Sequence, residues 1–213
     1  MSRLEQKQQT RRKLIETALA LSAERGFAAV SLREVARGAG ITAAGFYRHF
    51  RDMDDLGLVL VDEVGLALRQ LIREARRRYS DRGRVRASVE AFLEFINASP
   101  HLFRLLLGER LAGAPAFRRA LHAEIDRFVA ELCDDLEAQA RAAGQELEDA
   151  ALVAEAVVAV AFTVGAEALE LPKHRQQALL ERIVGEINII MRGAQVPPSP
   201  GSPRALEHKT KAR

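Results

Sequence analysis

Residues 31–50 read SLREVARGAGITAAGFYRHF, and this stretch decides the fold. Ser31 and Glu34 have the spacing of a capping box, in which each side chain bonds the backbone amide of the other residue, so a short helix is predicted to begin there. The Gly-Ala-Gly sequence at 38–40 ends that helix because two glycines permit a tight turn. Thr42 can then cap a second short helix that reaches about residue 50. Two short helices joined by such a turn are typical of a helix-turn-helix, although the spacing also suits a generic three-helix packing unit.

The second helix of this stretch carries side chains that suit contact with DNA. Small residues at 43–45 permit a close approach, and the Tyr-Arg-His sequence at 47–49 offers groups that can donate to a phosphate or a base edge. Phe46 and Phe50 lie four residues apart and are predicted to pin the helix to the protein. His49 could instead cap the end of the helix and leave DNA untouched. The predicted DNA-binding residues are Ser31, Arg33, Thr42, Ala43, Ala44, Gly45, Tyr47, Arg48 and His49.

Helical periodicity dominates the rest of the chain as well, so we predict an all-α fold of about nine helices. An apolar stripe from Leu14 to Leu21 forms a first helix that stops at Gly26, and Asp52 can cap a long fourth helix. Five further helices are predicted at about 85–96, 102–107, 115–144, 149–171 and 176–192. The last two are apolar on more than one face, which favours a homodimer interface.

These patterns divide the chain into three parts. We predict a helix-turn-helix DNA-binding domain at 9–52, a helical ligand-binding and dimerisation domain at 53–193, and a disordered basic tail at 194–213. Residues 1–52 hold ten Lys/Arg against five Asp/Glu, and residues 192–213 hold five against one. Because the net charge of the whole chain is only +3, the body between these ends is acidic. A basic N-terminal segment suits a surface that meets phosphates.

Composition argues against a secreted, membrane-bound or catalytic protein. The single cysteine cannot form an internal disulfide, and the N-terminus has no apolar stretch typical of a secretory signal, so a cytoplasmic protein is expected. The apolar run at 156–166 is shorter than the roughly 20 residues of a membrane span. We find no phosphate-binding loop, nucleophile elbow or metal-spaced cluster, so we expect no enzyme and no cofactor. His122 and Asp126 lie four apart but lack a third ligand, so no metal is expected.

Residues 11–60 resemble the DNA-binding region of the TetR family of bacterial regulators. The resemblance rests on the apolar first helix, the Ala-Ala-Val-Ser sequence at 28–31, Ile41-Thr42, and Tyr-Arg-His-Phe at 47–50 followed by Leu56. It implies a repressor that binds a double-stranded DNA operator. Family members commonly have a lysine where Met53 stands, and that lysine reaches a phosphate. We expect Arg51 to supply this contact, and it joins the predicted DNA-binding residues.

Over residues 11–193 the chain is also similar to the unsaturated fatty acid regulators of the FabR and DesT type. The segments at 46–58, 68–71, 103–107 with 109–110, and 165–169 carry this similarity. It implies repression of fatty acid synthesis or desaturase genes, a palindromic operator, and an acyl-CoA effector. The alternative within the same architecture is a drug- or metabolite-responsive repressor of an efflux pump.

An acyl-CoA ligand requires a long apolar tunnel and cations at its mouth for the phosphates of the head group. The body has large apolar side chains on several helices and cations near helix ends, although each phenylalanine could instead belong to the core and the arginines to a solvated face. The predicted ligand-binding residues are Phe92, Phe95, Ile96, Phe103, Arg104, Leu106, Leu107, Arg110, Phe128 and Phe162. Further candidate cations are Arg118, Arg119, Lys173, His174 and Arg175.

Overall fold

The helices of the chain follow one another with short connections, and the all-α prediction is confirmed. The computed structural model describes residues 2–79, 81–107, 115–145, 147 and 149–194. Within them lie α1 (Arg3–Arg25), α2 (Leu32–Gly38), α3 (Ala43–Phe46), α4 (Met53–Arg78), α5 (Asp81–Ala98), α6 (Pro100–Leu107), α7 (Pro115–Ala143), α8 (Ala150–Gly165) and α9 (Gln176–Gly193). Short 3-10 helices lie at Phe27–Ala29, Ala166–Leu169 and Lys173–Arg175. The predicted tail beyond residue 194 and Arg110 lie outside the described residues.

The local signals in the sequence act at the helix ends as predicted. Ser31 Oγ accepts a hydrogen bond from the Glu34 amide at 3.3 Å, and the Ser31 amide donates to the Glu34 carboxylate at 3.0 Å. Gly26 ends α1 with a φ of 81°, and Gly40 turns the chain between α2 and α3 with a φ of 75°. Both angles lie in the region that favours glycine. Asp52 caps α4 by accepting from the amide three residues on, at 2.7 Å.

The third helix is shorter than predicted, because its last turn tightens. α3 ends at Phe46, whereas the sequence predicted a helix to about residue 50. The Arg48 amide donates to the Gly45 carbonyl at 3.2 Å and the His49 amide to the Phe46 carbonyl at 2.9 Å, which is the spacing of a 3-10 turn. Phe46 and Phe50 are both buried, with ring centroids 5.6 Å apart, which confirms their predicted packing role.

One apolar core joins the N-terminal unit, α1–α3, to the body, α4–α9. Besides the continuous chain into α4, α1 packs directly against α6. Phe27 of the N-terminal unit and Phe117 of α7 meet on α4 at Gly57, where an added Cβ would lie 2.8 Å from Phe27 and 2.7 Å from Phe117. The missing side chain of Gly57 therefore lets three elements pack at one point.

Ion pairs hold α4 and α7 together along the body. Arg69 pairs with Glu124, and both side chains are buried; Arg69 Nε also lies 2.9 Å from Glu131. Arg127 lies 2.6 Å from both Glu124 and Asp62. Further along, Arg73 pairs with Glu131 at 2.6 Å and Arg76 with Asp135 at 2.5 Å. We call these six pairs the α4–α7 ladder. Five of them join α4 to α7, and Arg127–Glu124 lies within α7. Because the buried charges of Arg69 and Glu124 require each other as partners, the ladder couples the two helices.

The helical segment Ala150–Leu169 is long and apolar enough to cross a membrane by length and composition, with a mean hydropathy of 1.9. The sequence analysis measured only the run at 156–166, between Glu155 and Glu167. The longer segment includes these two glutamates and still meets the criteria of length and composition. In the described structure this segment packs against α5, α7 and α9 as part of the bundle.

Candidate DNA interface and ligand cavity

The N-terminal unit presents a shallow depression between the end of α2 and α3. Two arginines, Arg37 and Arg48, line it together with several small residues. The Thr42 side chain, which also lines it, accepts from the Gly45 amide at 3.1 Å. Cations beside small residues suit the close approach of a nucleic acid backbone. The lining consists of Arg37, Gly40, Ile41, Thr42, Ala44, Gly45 and Arg48.

Most side chains predicted to bind DNA are exposed in the structure. The exposed ones are Ser31, Arg33, Thr42, Ala44, Tyr47, Arg48 and Arg51, and the half-buried ones are Ala43, Gly45 and His49. Tyr47 has 62% of its surface exposed, which is high for an aromatic side chain. The Ser31 hydroxyl is engaged with Glu34 at 2.7 Å, and Arg51 donates to Asp55 at 3.2 Å. Four predicted residues, Thr42, Ala44, Gly45 and Arg48, meet in the depression.

His49 lies at the edge of this surface in a cationic environment. Partial burial lowers the pKa of its imidazole from 6.5, and the neighbouring Lys7, Arg11 and Arg48 lower the pKa further. The imidazole is therefore neutral at neutral pH. The His49 carbonyl accepts a hydrogen bond from Arg11 Nη1 at 3.1 Å, so α1 reaches the end of the turn that follows α3.

Two arginines of this surface were missed in the sequence. Arg37 follows Arg33 by four residues on α2, and this helical spacing could have indicated it. Arg11 contacts a residue 38 positions away, so no local pattern indicates its role.

A second concave site lies in the body, toward the end of α4 that is distant from α3. It is a cavity of about 420 Å³ between α4, α5, α7, α8 and α9. This volume falls within the range of about 300–1,000 Å³ typical of small-molecule pockets. Ile72 lines it from α4, about 29 Å along the helix axis from the start of α4 at a rise of about 1.5 Å per residue. The apolar lining includes Ile72, Val85, Val89, Phe92, Phe128, Leu132, Leu136, Val157, Val158, Ala161, Phe162, Ile187 and Met191.

Three of the phenylalanines predicted to bind a ligand lie together in the cavity wall. The Phe162 ring centroid is 5.8 Å from that of Phe92 and 5.3 Å from that of Phe128. Phe103 stands behind them, 5.4 Å from Phe92, and is fully buried. At Gly165 an added Cβ would lie 2.9 Å from Phe92 Cζ, so Phe92 packs closely on the backbone of α8.

The other predicted ligand residues lie away from this lining. Ile96 and Leu106 are buried in the core, Phe95 and Leu107 are half-buried, and Arg104 donates to Glu170 at 3.3 Å. The candidate cations Arg118, Arg119, His174 and Arg175 are exposed and do not line the cavity. The polar residues of the cavity are instead Arg76, Arg84, Ser88, Gln139, Gln145, Asn188 and Arg192. They lie on four helices and in the connection between α7 and α8, so no local pattern in the sequence indicates that they share one site.

His122 and Asp126 are both exposed on α7. No group of three or more His, Cys, Asp or Glu side chains that could hold a metal ion occurs in the part of the chain that the structure describes.

A helix-turn-helix with a basic surface, joined by a long helix to a body with an apolar cavity, defines a DNA-binding regulator with a separate ligand site. Residues 14–58 match the sequence model described as bacterial regulatory proteins of the tetR family, and residues 81–190 match the tetracyclin repressor-like C-terminal domain. The chain belongs to the TetR family. Its members are transcription factors and not enzymes; they bind a DNA operator and a small-molecule ligand, use no cofactor, and are typically dimeric.

Solved structures of the family are similar over most of the chain. A TetR-family regulator from Pectobacterium atrosepticum has 22% sequence identity and a TM-score of 0.71, covering 93% of this chain and 100% of its own. NemR of E. coli in its reduced form has 22% identity and a TM-score of 0.69, covering 85% and 97%. The fatty acid degradation regulator FadR of Bacillus halodurans has 15% identity and a TM-score of 0.64, covering 85% and 94%. At these identities the similarity concerns the fold.

Proposed function

We propose that the chain is a cytoplasmic, dimeric repressor that binds a palindromic operator and controls genes of fatty acid desaturation or unsaturated fatty acid synthesis in response to acyl-CoA. The observation that carries this proposal is the chemistry of the cavity, whose wall is apolar on five helices and whose remaining groups are arginines, side-chain amides and the Ser88 hydroxyl. An acyl-CoA has the same division, with an apolar chain and an anionic head.

The apolar wall supports affinity for the acyl chain of the proposed ligand. Three phenylalanines and a set of branched aliphatic side chains face the same space. Each buried methylene contributes about 0.8 kcal/mol, so about ten methylenes would contribute about 8 kcal/mol before the entropic cost of binding. The entropic cost of binding is subtracted from this gross contribution, so the apolar wall alone gives an affinity weaker than micromolar and the head group must contribute as well.

The polar groups account for selection of an anionic head. Arg76 lies between Asp135, at 2.5 Å, and the cavity, and its buried Nε has no hydrogen-bond partner among the described residues. Arg192 donates its Nε to the Asn188 carbonyl at 3.2 Å, which aligns its guanidinium beside the cavity. Guanidinium groups bind phosphate oxygens with paired hydrogen bonds, so we assign the phosphates of the head group to this side.

The link from cavity to operator runs through α4 and α7. Ile72 of α4 and Phe128 of α7 both line the cavity, and Arg69 lies 5.5 Å over the Phe128 ring while it pairs with Glu124. A ligand that displaces these walls would tilt α4 and α7 together. The recognition helices of a dimer must lie about 34–36 Å apart to enter successive major grooves, so a small tilt changes operator affinity. Straight and kinked acyl chains then act by differential affinity for the two geometries.

The dimer interface is assigned to α8 and α9. Leu152 of α8 and Ile189 of α9 are 60% and 63% exposed, and Gly185 of α9 has no atom within 4 Å of an added Cβ. Exposed apolar side chains with a small residue among them permit two copies to pack closely about a two-fold axis.

Mass spectrometry of the chain purified under native conditions tests the ligand. The expected result is a co-purifying acyl-CoA; a co-purified aromatic or drug-like metabolite in its place would favour the regulator of an efflux pump. Oleoyl-CoA and palmitoyl-CoA are then titrated against the chain bound to a fluorescent duplex selected from a random pool. We expect the two to change DNA binding to different extents, whereas coenzyme A alone has little effect.

Two neighbouring positions on α4 provide a matched pair of variants. Ile72→Ala removes a side chain from the cavity wall, whereas Leu71→Ala removes a side chain that is 40% exposed and lies outside the lining. Ile72→Ala should raise the acyl-CoA concentration that gives half of the response, and Leu71→Ala should leave it unchanged. An acyl-CoA response that is the same in both variants would contradict the assignment of the cavity.

A further inference from the structure

The turn that follows α3 carries side chains that we propose to face DNA, and its backbone bonding is mixed. The Arg48 and His49 amides each donate three residues back, whereas the Phe50 amide donates to the Phe46 carbonyl four residues back, at 3.1 Å. α3 ends at Phe46, while Tyr47 and Arg48 are exposed on the next turn. Carbonyl groups at the end of a helix have no partner within the helix and need one from elsewhere. At His49 this partner is Arg11 of α1, whose Nη1 donates to the carbonyl at 3.1 Å.

Arg11 makes a second contact with the same segment. Its guanidinium carbon lies 4.3 Å from the centre of the Phe50 ring, a distance typical of a cation–π contact. Phe50 is 2% exposed and packs on Phe46, so this ring is a fixed platform. Arg11 itself is half-buried. One guanidinium therefore holds the turn at its backbone and at its anchoring ring.

The geometry points to Arg11 as a positioning residue for operator recognition: it fixes the turn at 47–49 against α1 and so sets where Tyr47 and Arg48 meet the base edges. Its guanidinium acts through the protein and not through a phosphate. This role requires the planar fork of arginine, because a lysine cannot stack on Phe50 and direct an N–H to the carbonyl in the same way.

A positioning role and a phosphate contact have different consequences for DNA binding. Each phosphate contact changes the slope of log affinity against log salt concentration by about 0.9 and acts equally on all sequences. Placement of the turn affects the groups that read base edges, and therefore the ratio of operator affinity to affinity for mixed-sequence DNA. The two quantities can be measured on the same protein.

The test uses the full chain with Arg11→Met and Arg11→Lys. Binding is measured by fluorescence anisotropy on a duplex selected from a random pool by the unaltered chain, and on a mixed-sequence duplex of the same length, at several salt concentrations. We expect both variants to lower the ratio of the two affinities by about tenfold, the effect of losing one hydrogen bond to a charged group, and to keep the salt slope. Thermal unfolding of each variant is recorded alongside.

Arg12→Met is the matched control, because Arg12 is the next residue on α1, has an 83% exposed side chain and pairs only with Glu16 among the ion pairs of the described structure. It should leave the affinity ratio unchanged. Restoration of the ratio by Arg11→Lys would overturn the proposal, since charge alone would then suffice. If Arg11→Met instead reduced the salt slope by about 0.9 and left the ratio of the two affinities unchanged, the proposal would also be overturned, and Arg11 would be a phosphate contact. If Arg11→Met unfolds, the lysine variant decides, because it retains the charge and the long side chain.

Discussion

Replacing Gly65 by alanine is expected to destabilise the contact between α4 and α7. Gly65 lies in the middle of α4, where an added Cβ would overlap the Glu124 carboxylate and lie 2.6 Å from Glu124 Cγ. Glu124 is 2% exposed and is held by Arg69 and Arg127, so it cannot move aside without leaving its partners. The substitution therefore displaces a buried carboxylate.

The magnitude follows from two opposing contributions. Alanine in place of glycine in a helix interior stabilises by about 0.5–1 kcal/mol. Separating a buried ion pair costs about 3–5 kcal/mol. The expected net loss is about 2–4 kcal/mol in the free energy of unfolding, or roughly 4–16 °C in melting temperature for a chain of this size.

Urea unfolding followed by far-ultraviolet circular dichroism measures this loss, at one fixed protein concentration because the assembly is expected to be a dimer. Gly193→Ala is the control, since nothing lies within 4 Å of a Cβ at that position. In a Glu124→Ala background the overlapping atoms are absent, and Gly65→Ala should cost little. Equal stability of the Gly65→Ala variant and the unaltered chain would refute the reasoning, as would an equal cost in both backgrounds.

Three further outcomes are expected. Arg37→Met should lower the salt slope of operator binding by about 0.9 in anisotropy titrations, because Arg37 is exposed beside the depression at α3; an unchanged slope would place Arg37 away from phosphates. Ile189→Arg should convert the dimer to monomers in size-exclusion chromatography with light scattering, whereas Leu66→Arg on α4 should not, and dimers in both cases would exclude α9 from the interface. The pKa of Glu34 is lowered from 4.5 to about 2, chiefly by the hydrogen bond from Ser31, so its stabilising contribution is full above pH 4.5 and is lost as the pH falls toward about 2. Urea unfolding at acidic pH should show this loss, and Glu34→Gln should lack it.

The predictable part of the fold is the part that neighbouring residues determine. The capping box at Ser31 and the glycine at 26 act within one turn of the chain, so their effect is readable in sequence. Apolar spacing located the helices for the same reason. The sequence of α4 has apolar residues at 56, 60, 64, 68 and 71, a spacing that predicts one buried stripe. This prediction is wrong at its last position, because Leu71 is 40% exposed while Ile72 lines the cavity. Ile72 lies four residues after Leu68 and faces the interior of the body. Leu71 lies only three residues after Leu68, and at this point of the helix that position points away from the core.

The cavity could be predicted only in part, because a residue of a pocket wall and a residue of the core have the same chemistry. Phe92, Phe128 and Phe162 line the cavity, but Phe103 lies behind the wall, and nothing in the sequence separates these cases. Arg76 shows the same difficulty for polar groups. Its place depends on how α4 packs on α7, which involves residues about sixty positions apart.

The cavity and the surface around α3 have no lining residue in common. Under the proposed function, ligand binding and DNA binding can therefore be altered independently, the first by substitutions in α5, α7, α8 and α9, the second by substitutions in α2 and α3. The α4–α7 ladder is the part that must be retained in either case. A chain engineered to report a different metabolite could then keep its promoter, and a chain moved to a new promoter could keep its ligand.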